Sequence, residues 1–221
     1  MINNLPGFPD LAPKTIYCIG RNYADHALEL NNPVPSEPVI FSKPATSLLE
    51  NHGTVIIPNQ STQVHHEAEL VLAIGKKGKN IPQNDAISHV SGIAAGIDIT
   101  ARDIQSKLKE KSLPWLLAKG LDTFAPIGTF ISANNVDFAN IQVQMFVNDE
   151  LKQDGNTKDL LFPVDVLVSR LSEFFTLLPG DLIYTGTPAG VGPLKHGDKA
   201  EARILLNDNV LSTISINVSK G

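Results

Sequence analysis

The chain has little of what would mark a specialised environment. A single cysteine, Cys18, stands among 221 residues, so no internal disulfide can staple the fold. Its neighbours Tyr17 and Ile19 give it the setting of a buried strand thiol in a reducing compartment. No apolar run reaches membrane-spanning length, and the start, MINNLPGFPDLAP, carries neither the basic nor the apolar stretch of a secretory leader. The expected address is therefore cytoplasmic, with no membrane partner. Positive charge is in deficit: 18 Lys and Arg against 23 Asp and Glu leave a net charge of −5. The basic residues are also scattered, so the chain lacks the basic face that a nucleic-acid backbone requires, and no nucleic-acid partner is expected. Internal repeats, linkers and low-complexity tracts are missing too. What remains is turn-rich and globular: 42% apolar residues, 15 prolines and 16 glycines. The length suits one domain, 1–221, and the pattern of short apolar pieces favours a continuous α+β fold dominated by strands.

Along the chain, TIYCIG reads as a short strand and RNYADHALEL as a short helix ended by the proline-rich NNPVPSEP, which should be exposed. VIFSKP, TVIIP and HHEAELVLAIG read as strands, the last closed by the polar turn GKKGKN. NDAISHVSGIAAGIDIT holds a helix start and then a strand of small apolar residues ending at Asp98. TARDIQSKLKEK is a helix for which Thr100 is the expected cap. QVQMFVNDELKQDG is a hairpin turning on Asn148 and Asp149. A helix follows, with Pro163 in its first turn and an apolar stripe of Leu167, Leu171, Phe174 and Phe175. LPGD turns it into the strand LIYTG. A last hairpin, AEARILLNDNVLSTISINV, turns around Asn207 to Asn209.

Chemistry enters at HHEAELVLAIG. On a strand, Glu67 and Glu69 share one face while His66, Ala68 and Leu70 take the other. Two neighbouring like charges call for water, a shared proton or a cation. A solvated strand face, or a helix, explains the string equally well. Asp98, at the end of a buried strand, is the natural third oxygen ligand for Mg²⁺ or Mn²⁺, or else a capping or turn residue. His65 and His66 face opposite ways, so at most one can join the glutamates, which makes zinc less attractive. His26 and Glu29, at i and i+3 of one helix, are either a base and its orienting carboxylate or a solvated pair. YTGTPAGVGPLKHGD lacks the order of a phosphate loop, yet its glycines and Thr187 can approach a small anion, or simply make a tight connection. Lys43, Arg102 and Lys119 are candidates to neutralise an acidic substrate, or else side chains that snorkel to the surface.

Taken together, IGRNYADHALEL, PVIFSKPATSLL, VHHEAELVLAIG, GIDITARDIQSKLKEKSLPWLLAKG and GDLIYTGTPAGVGPLKHGD resemble the fumarylacetoacetate hydrolase family, in its small acylpyruvase and oxaloacetate decarboxylase branch. The resemblance implies a mainly β fold, a mixed roll or sandwich with a few short peripheral helices, a homodimer, and one Mg²⁺ or Mn²⁺ held by Glu67, Glu69 and Asp98. It also implies His26 and Glu29 as a catalytic pair on a movable lid helix, Lys119 beside the metal, and Arg102, Gln105 and Thr187 as substrate contacts. The implied reaction is hydrolysis of acylpyruvates to pyruvate and a carboxylic acid, with decarboxylation of oxaloacetate as a companion activity. Keto-enol tautomerisation is the enzymatic alternative, and metal-dependent binding of small dicarboxylates is the non-enzymatic one.

Overall fold

The computed structural model describes residues 2–29 and 34–221, the side chains of residues 26–28 excepted. Its centre is the strand Ala68–Ile74, in which every residue is buried. Burial on both faces is why the stretch reads as an unbroken apolar run rather than an alternating one. This strand lies inside a mixed six-stranded sheet ordered Ile131–Ser132, Val90–Ile97, Ala68–Ile74, Leu182–Tyr184, Ile16–Gly20 and Val39–Lys43. All neighbours are antiparallel except Ile16–Gly20 and Leu182–Tyr184, which run parallel. Cys18 sits within the sheet, buried, as its neighbours implied.

A second sheet, ordered Glu150–Asn156, Gln142–Val147, Lys199–Leu206, Asn209–Lys220 and Thr54–Ile57, covers one face of the first. Leu70, Leu72 and Ile74 pack there with Met145, Ile204 and Ile214 in the larger core. Each such side chain contributes about 1.5–3 kcal/mol by leaving water. Val71 and Ala73 point the other way, into a smaller core with Cys18, Leu182 and Tyr184 that the N-terminal Ile2 and Leu5 close off. Both expected hairpins form, and each turns on two residues with positive φ: Asn148 and Asp149 at 52° and 64°, Asn207 and Asp208 at 51° and 63°. These are the angles that a tight turn between twisted strands demands.

Three expectations change. The run HHEAELVLAIG is two strands, Val64–His66 and Ala68–Ile74, with Glu67 between them. The first strand leaves the main sheet to pair with Thr100–Ala101 and Gly192–Pro193. Thr100 therefore does not cap the helix Arg102–Glu110. The cap is Ala101, and the Thr100 hydroxyl donates to the Asp98 carbonyl instead. Finally, the stripe on helix Val164–Phe174 buries Leu167 and Leu171 but leaves Phe174 57% and Phe175 40% exposed. The helix ends there, and the two rings lie against Arg170 and Tyr17 rather than in the core.

Candidate metal and substrate site

Strand register places the three acids. Ala68 pairs with Ile97 and Glu69 with Gly96, so the chain just beyond each strand runs alongside the other, and Asp98 N–H donates to the Glu67 carbonyl at 2.8 Å. Gly96 makes room for this: a Cβ there would come within 2.4 Å of Val71 Cγ2. Glu67, Glu69 and Asp98 are all buried, and one oxygen from each lies within 4.8 Å of the others.

Cations hold two of these acids. Lys119, at the end of the short helix Leu116–Lys119, donates to Glu67 Oε2 at 2.7 Å and to Asp98 Oδ2 at 2.6 Å. Burial works against its charge, but Asp98 and Glu67 more than offset burial, and its pKa lies above the ordinary lysine value. Arg102 pairs with Glu67 Oε1 and donates through Nη1 to Gln105 Oε1 at 2.7 Å. Lys43 Nζ lies 2.6 Å from Asp98 Oδ1 and also donates to the carbonyls of Ile99 and Phe124. Lys43, Arg102 and Lys119 are thus not snorkelling surface groups, and Lys43 serves Asp98 rather than a substrate.

Glu69 has no such partner. Among the described residues no cation lies within ion-pairing distance of it, and its Oε2 accepts the Gly186 N–H at 2.7 Å. Burial first, then Asp98 and Glu67, push its carboxyl well above the usual range. Gly186 can offer that N–H because its φ of +103° suits glycine, and any Cβ would meet Asn22 Cβ at 2.7 Å. An all-oxygen set of three carboxylates, one lacking a counter-charge, fits a hard divalent cation.

The acids open into a cavity lined also by Arg21, Phe41, Gln105, Lys109, Trp115 and Thr187. Thr187 donates its hydroxyl to the Ala68 carbonyl at 2.8 Å and accepts from Gln153 Nε2 at 2.8 Å, so its proton is committed inside the protein. Gln153 also accepts the Ala68 N–H at 3.0 Å, which ties the acidic strand to the Thr187 loop. Sequence reasoning missed Gln153, Arg21, Lys109 and Trp115. Only the tertiary fold brings them here, and Gln153 carried no local signal at all. The helix expected at RNYADHALEL runs Ala24–Glu29, and the Glu29 carboxylate accepts the Gly190 N–H at 3.1 Å. The His26 side chain lies outside the described residues, so the expected His26–Glu29 pair does too.

The chain matches the family described as Fumarylacetoacetate (FAA) hydrolase C-terminal over residues 15–217. It is 48% identical to the oxaloacetate tautomerase FAHD1, mitochondrial, of Arabidopsis thaliana over 190 residues, 86% of this chain and 85% of that protein. It is also 48% identical over 186 residues, 83% of this chain and 85% of the other, to the mitochondrial oxaloacetate decarboxylase of Dictyostelium discoideum. Among solved structures it superposes on fumarylpyruvate hydrolase from Pseudomonas aeruginosa, in complex with Mn²⁺ and pyruvate, with a TM-score of 0.91 and 36% identity over 99% of this chain and 95% of that one. Among the described residues no helix is long and apolar enough to cross a membrane. With the sheet order, the acidic triad and these likenesses in hand, the chain belongs to the fumarylacetoacetate hydrolase family and is an enzyme of it.

Proposed function

We propose that this enzyme is metal-dependent and acts on small 2-oxo acids through an enolate, and that keto-enol tautomerisation of oxaloacetate is its leading reaction. The observation that carries the reading is the buried acid without a cation, Glu69, set beside Glu67 and Asp98 at the floor of a cavity walled by Lys119, Arg102 and Gln105. Glu67, Glu69 and Asp98 would hold Mg²⁺ or Mn²⁺, whose Lewis acidity would serve to polarise the 2-oxo group. Lys119 stays protonated and fixes Glu67 and Asp98 with two hydrogen bonds, a preorganised positive charge at the site where the substrate oxygen gains charge. Arg102, braced by Glu67 and Gln105, presents a planar group to the substrate carboxylate. His26, oriented by Glu29, moves the proton at C3. Thr187 shapes the wall through its backbone position.

Acylpyruvate hydrolysis is the second reading, favoured by the superposition on a fumarylpyruvate hydrolase over nearly the whole chain. It needs the same enolate, with His26 instead activating water for attack on the distal carbonyl. The homodimer belongs to this proposal and is tested by sedimentation velocity. The cytoplasmic address belongs to it too and is tested by cell fractionation, because the relatives named above are mitochondrial.

One preparation decides the function. Enol absorbance decay of oxaloacetate, pyruvate release from oxaloacetate and pyruvate release from an acylpyruvate panel are followed with Mg²⁺, with Mn²⁺ and after chelation. The expected result is metal-dependent acceleration, largest for oxaloacetate tautomerisation. Metal-dependent binding of oxalate without turnover of any substrate would overturn the reading and leave a dicarboxylate-binding protein.

A further inference from the structure

The ion pairs at the site leave two positive charges over. Lys43, Lys119 and Arg102 are matched to Asp98 and Glu67. Arg21 and Lys109 line the same cavity, and among the described residues no carboxylate pairs with either. Arg21 Nε is buried and has no hydrogen-bond partner there. A donor left this way carries a desolvation penalty that an incoming acceptor removes.

Arg21 is also held in place. Its φ is +58°, a region that residues other than glycine seldom adopt. The next residue, the buried Asn22, fixes the turn: its side chain donates to the carbonyls of Phe162 and Thr185 and accepts the Phe162 N–H. Strain kept by surrounding bonds is a mark of a functional position. Lys109, on helix Arg102–Glu110, lies with its Nζ 5.4 Å from the centre of the Trp115 ring. Burial, and then the nearness of Arg21 and Arg102, bring Lys109 down to about 8. An anion seated among these cations would relieve that crowding.

We propose that Arg21 and Lys109 form the seat for a second carboxylate of the substrate, selecting dianionic 2-oxo acids over those with a neutral tail. This rests on the function proposed above and adds a direction to it. In tautomerisation a proton leaves C3, its electron pair forms the C2–C3 double bond, the 2-oxo oxygen gains a proton, and the C4 carboxylate stays where it is. In decarboxylation the C3–C4 bond breaks, its electron pair forms that same double bond, and CO₂ departs without charge. A C4 carboxylate held between two cations loses that attraction only in the second case. The seat therefore favours tautomerisation of oxaloacetate over its decarboxylation.

The test is calorimetric titration of the Mn²⁺-loaded protein with pyruvate, which has one carboxylate, and with 3,3-difluorooxaloacetate, which has two and no hydrogen on C3. Wild type, Arg21→Gln and Lys109→Met are compared; methionine keeps an unbranched chain beside Trp115, so the second variant guards against misfolding of the first. Each variant should weaken the dianion about 10-fold or more, the loss of one charge-assisted contact. Pyruvate affinity should stay within about 2-fold of wild type, and the ratio of decarboxylation to tautomerisation on oxaloacetate should rise. Equal weakening of both ligands, the mark of general electrostatic attraction, would overturn the proposal, as would no weakening of either. Binding that follows the expected pattern in a protein without turnover would sink the catalytic reading while leaving the seat standing.

Discussion

The buried lysines at the site divide their work, Lys43 bonding Asp98 and Lys119 bonding both Asp98 and Glu67, and that division decides what a substitution does. Lys43 touches Asp98 and two backbone carbonyls and does not line the cavity, so its loss should register as stability. Lys43→Met keeps the bulk, leaves Asp98 with Lys119 alone, takes from the Ile99 carbonyl its lysine donor and leaves the Phe124 carbonyl with the Ile99 N–H only. Breaking a buried pair on one side costs on the order of 3–5 kcal/mol, and the remaining Lys119 contact sets the expectation near 3 kcal/mol. The urea midpoint of Lys43→Met checks this, and an unchanged midpoint would mean that Lys43 is not structural. The acids themselves were legible: Glu67, Glu69 and Asp98 stood out by residue type and by their place at strand ends. The role of Lys43 was not, because a lone lysine in VIFSKP looks the same whether it faces solvent, substrate or a buried aspartate 55 residues on.

Among the elements, strands and tight turns were readable from the sequence because their signals are local. Apolar runs bounded by glycine and proline, and Asn-Asp at hairpin tips, found both hairpins and most of the central sheet. The break at Glu67 was not readable, since the segment departs from the main sheet only because Thr100–Ala101 and Gly192–Pro193, distant in sequence, offer it other partners. Thr100 was misread as a cap for the same reason. The helix Ala24–Glu29 was recognised, and the Glu29 contact to Gly190 N–H ties it to the loop after Thr187. Its contribution is tested through His26. If His26 activates water, His26→Ala should lower acylpyruvate hydrolysis by a factor of about 10² or more. Oxaloacetate decarboxylation, which needs no attacking water, should fall far less, and metal affinity should hold because His26 is outside the acidic set. The ratio of kcat/KM for the two substrates on one preparation cancels errors in active-site concentration. Equal losses would give His26 a positioning role instead.

For the molecule as a whole, placing Glu69 beside two other buried acids ties folding stability to pH and to metal. The folded-state pKa of Glu69 is raised, so above the ordinary carboxylate value the native state keeps a proton that the unfolded chain has released. The native state then binds more protons than the unfolded one, and the stability of the metal-free protein falls as pH rises toward the folded pKa, by at most about 1.4 kcal/mol per pH unit for one proton. Other groups titrate on either side. His65, drawn down to about 4 mainly by burial, adds stability as pH rises between about 4 and 6.5, and Lys109, drawn down to about 8, does so above that value. Glu69 works with the opposite sign, from the ordinary carboxylate value upward. Across that range the metal-free wild type should gain less stability, or lose more, with rising pH than Glu69→Gln, which cannot ionise. Binding of Mg²⁺ or Mn²⁺ requires the ionised carboxylate and releases its proton, so the stability gained from saturating metal should be larger at about pH 7.5 than just above the ordinary carboxylate value in wild type and much reduced in Glu69→Gln. Chemical denaturation at the two pH values, with and without metal, supplies all eight measurements. A metal increment that does not change with pH, or that survives intact in Glu69→Gln, would remove Glu69 from the ligand set.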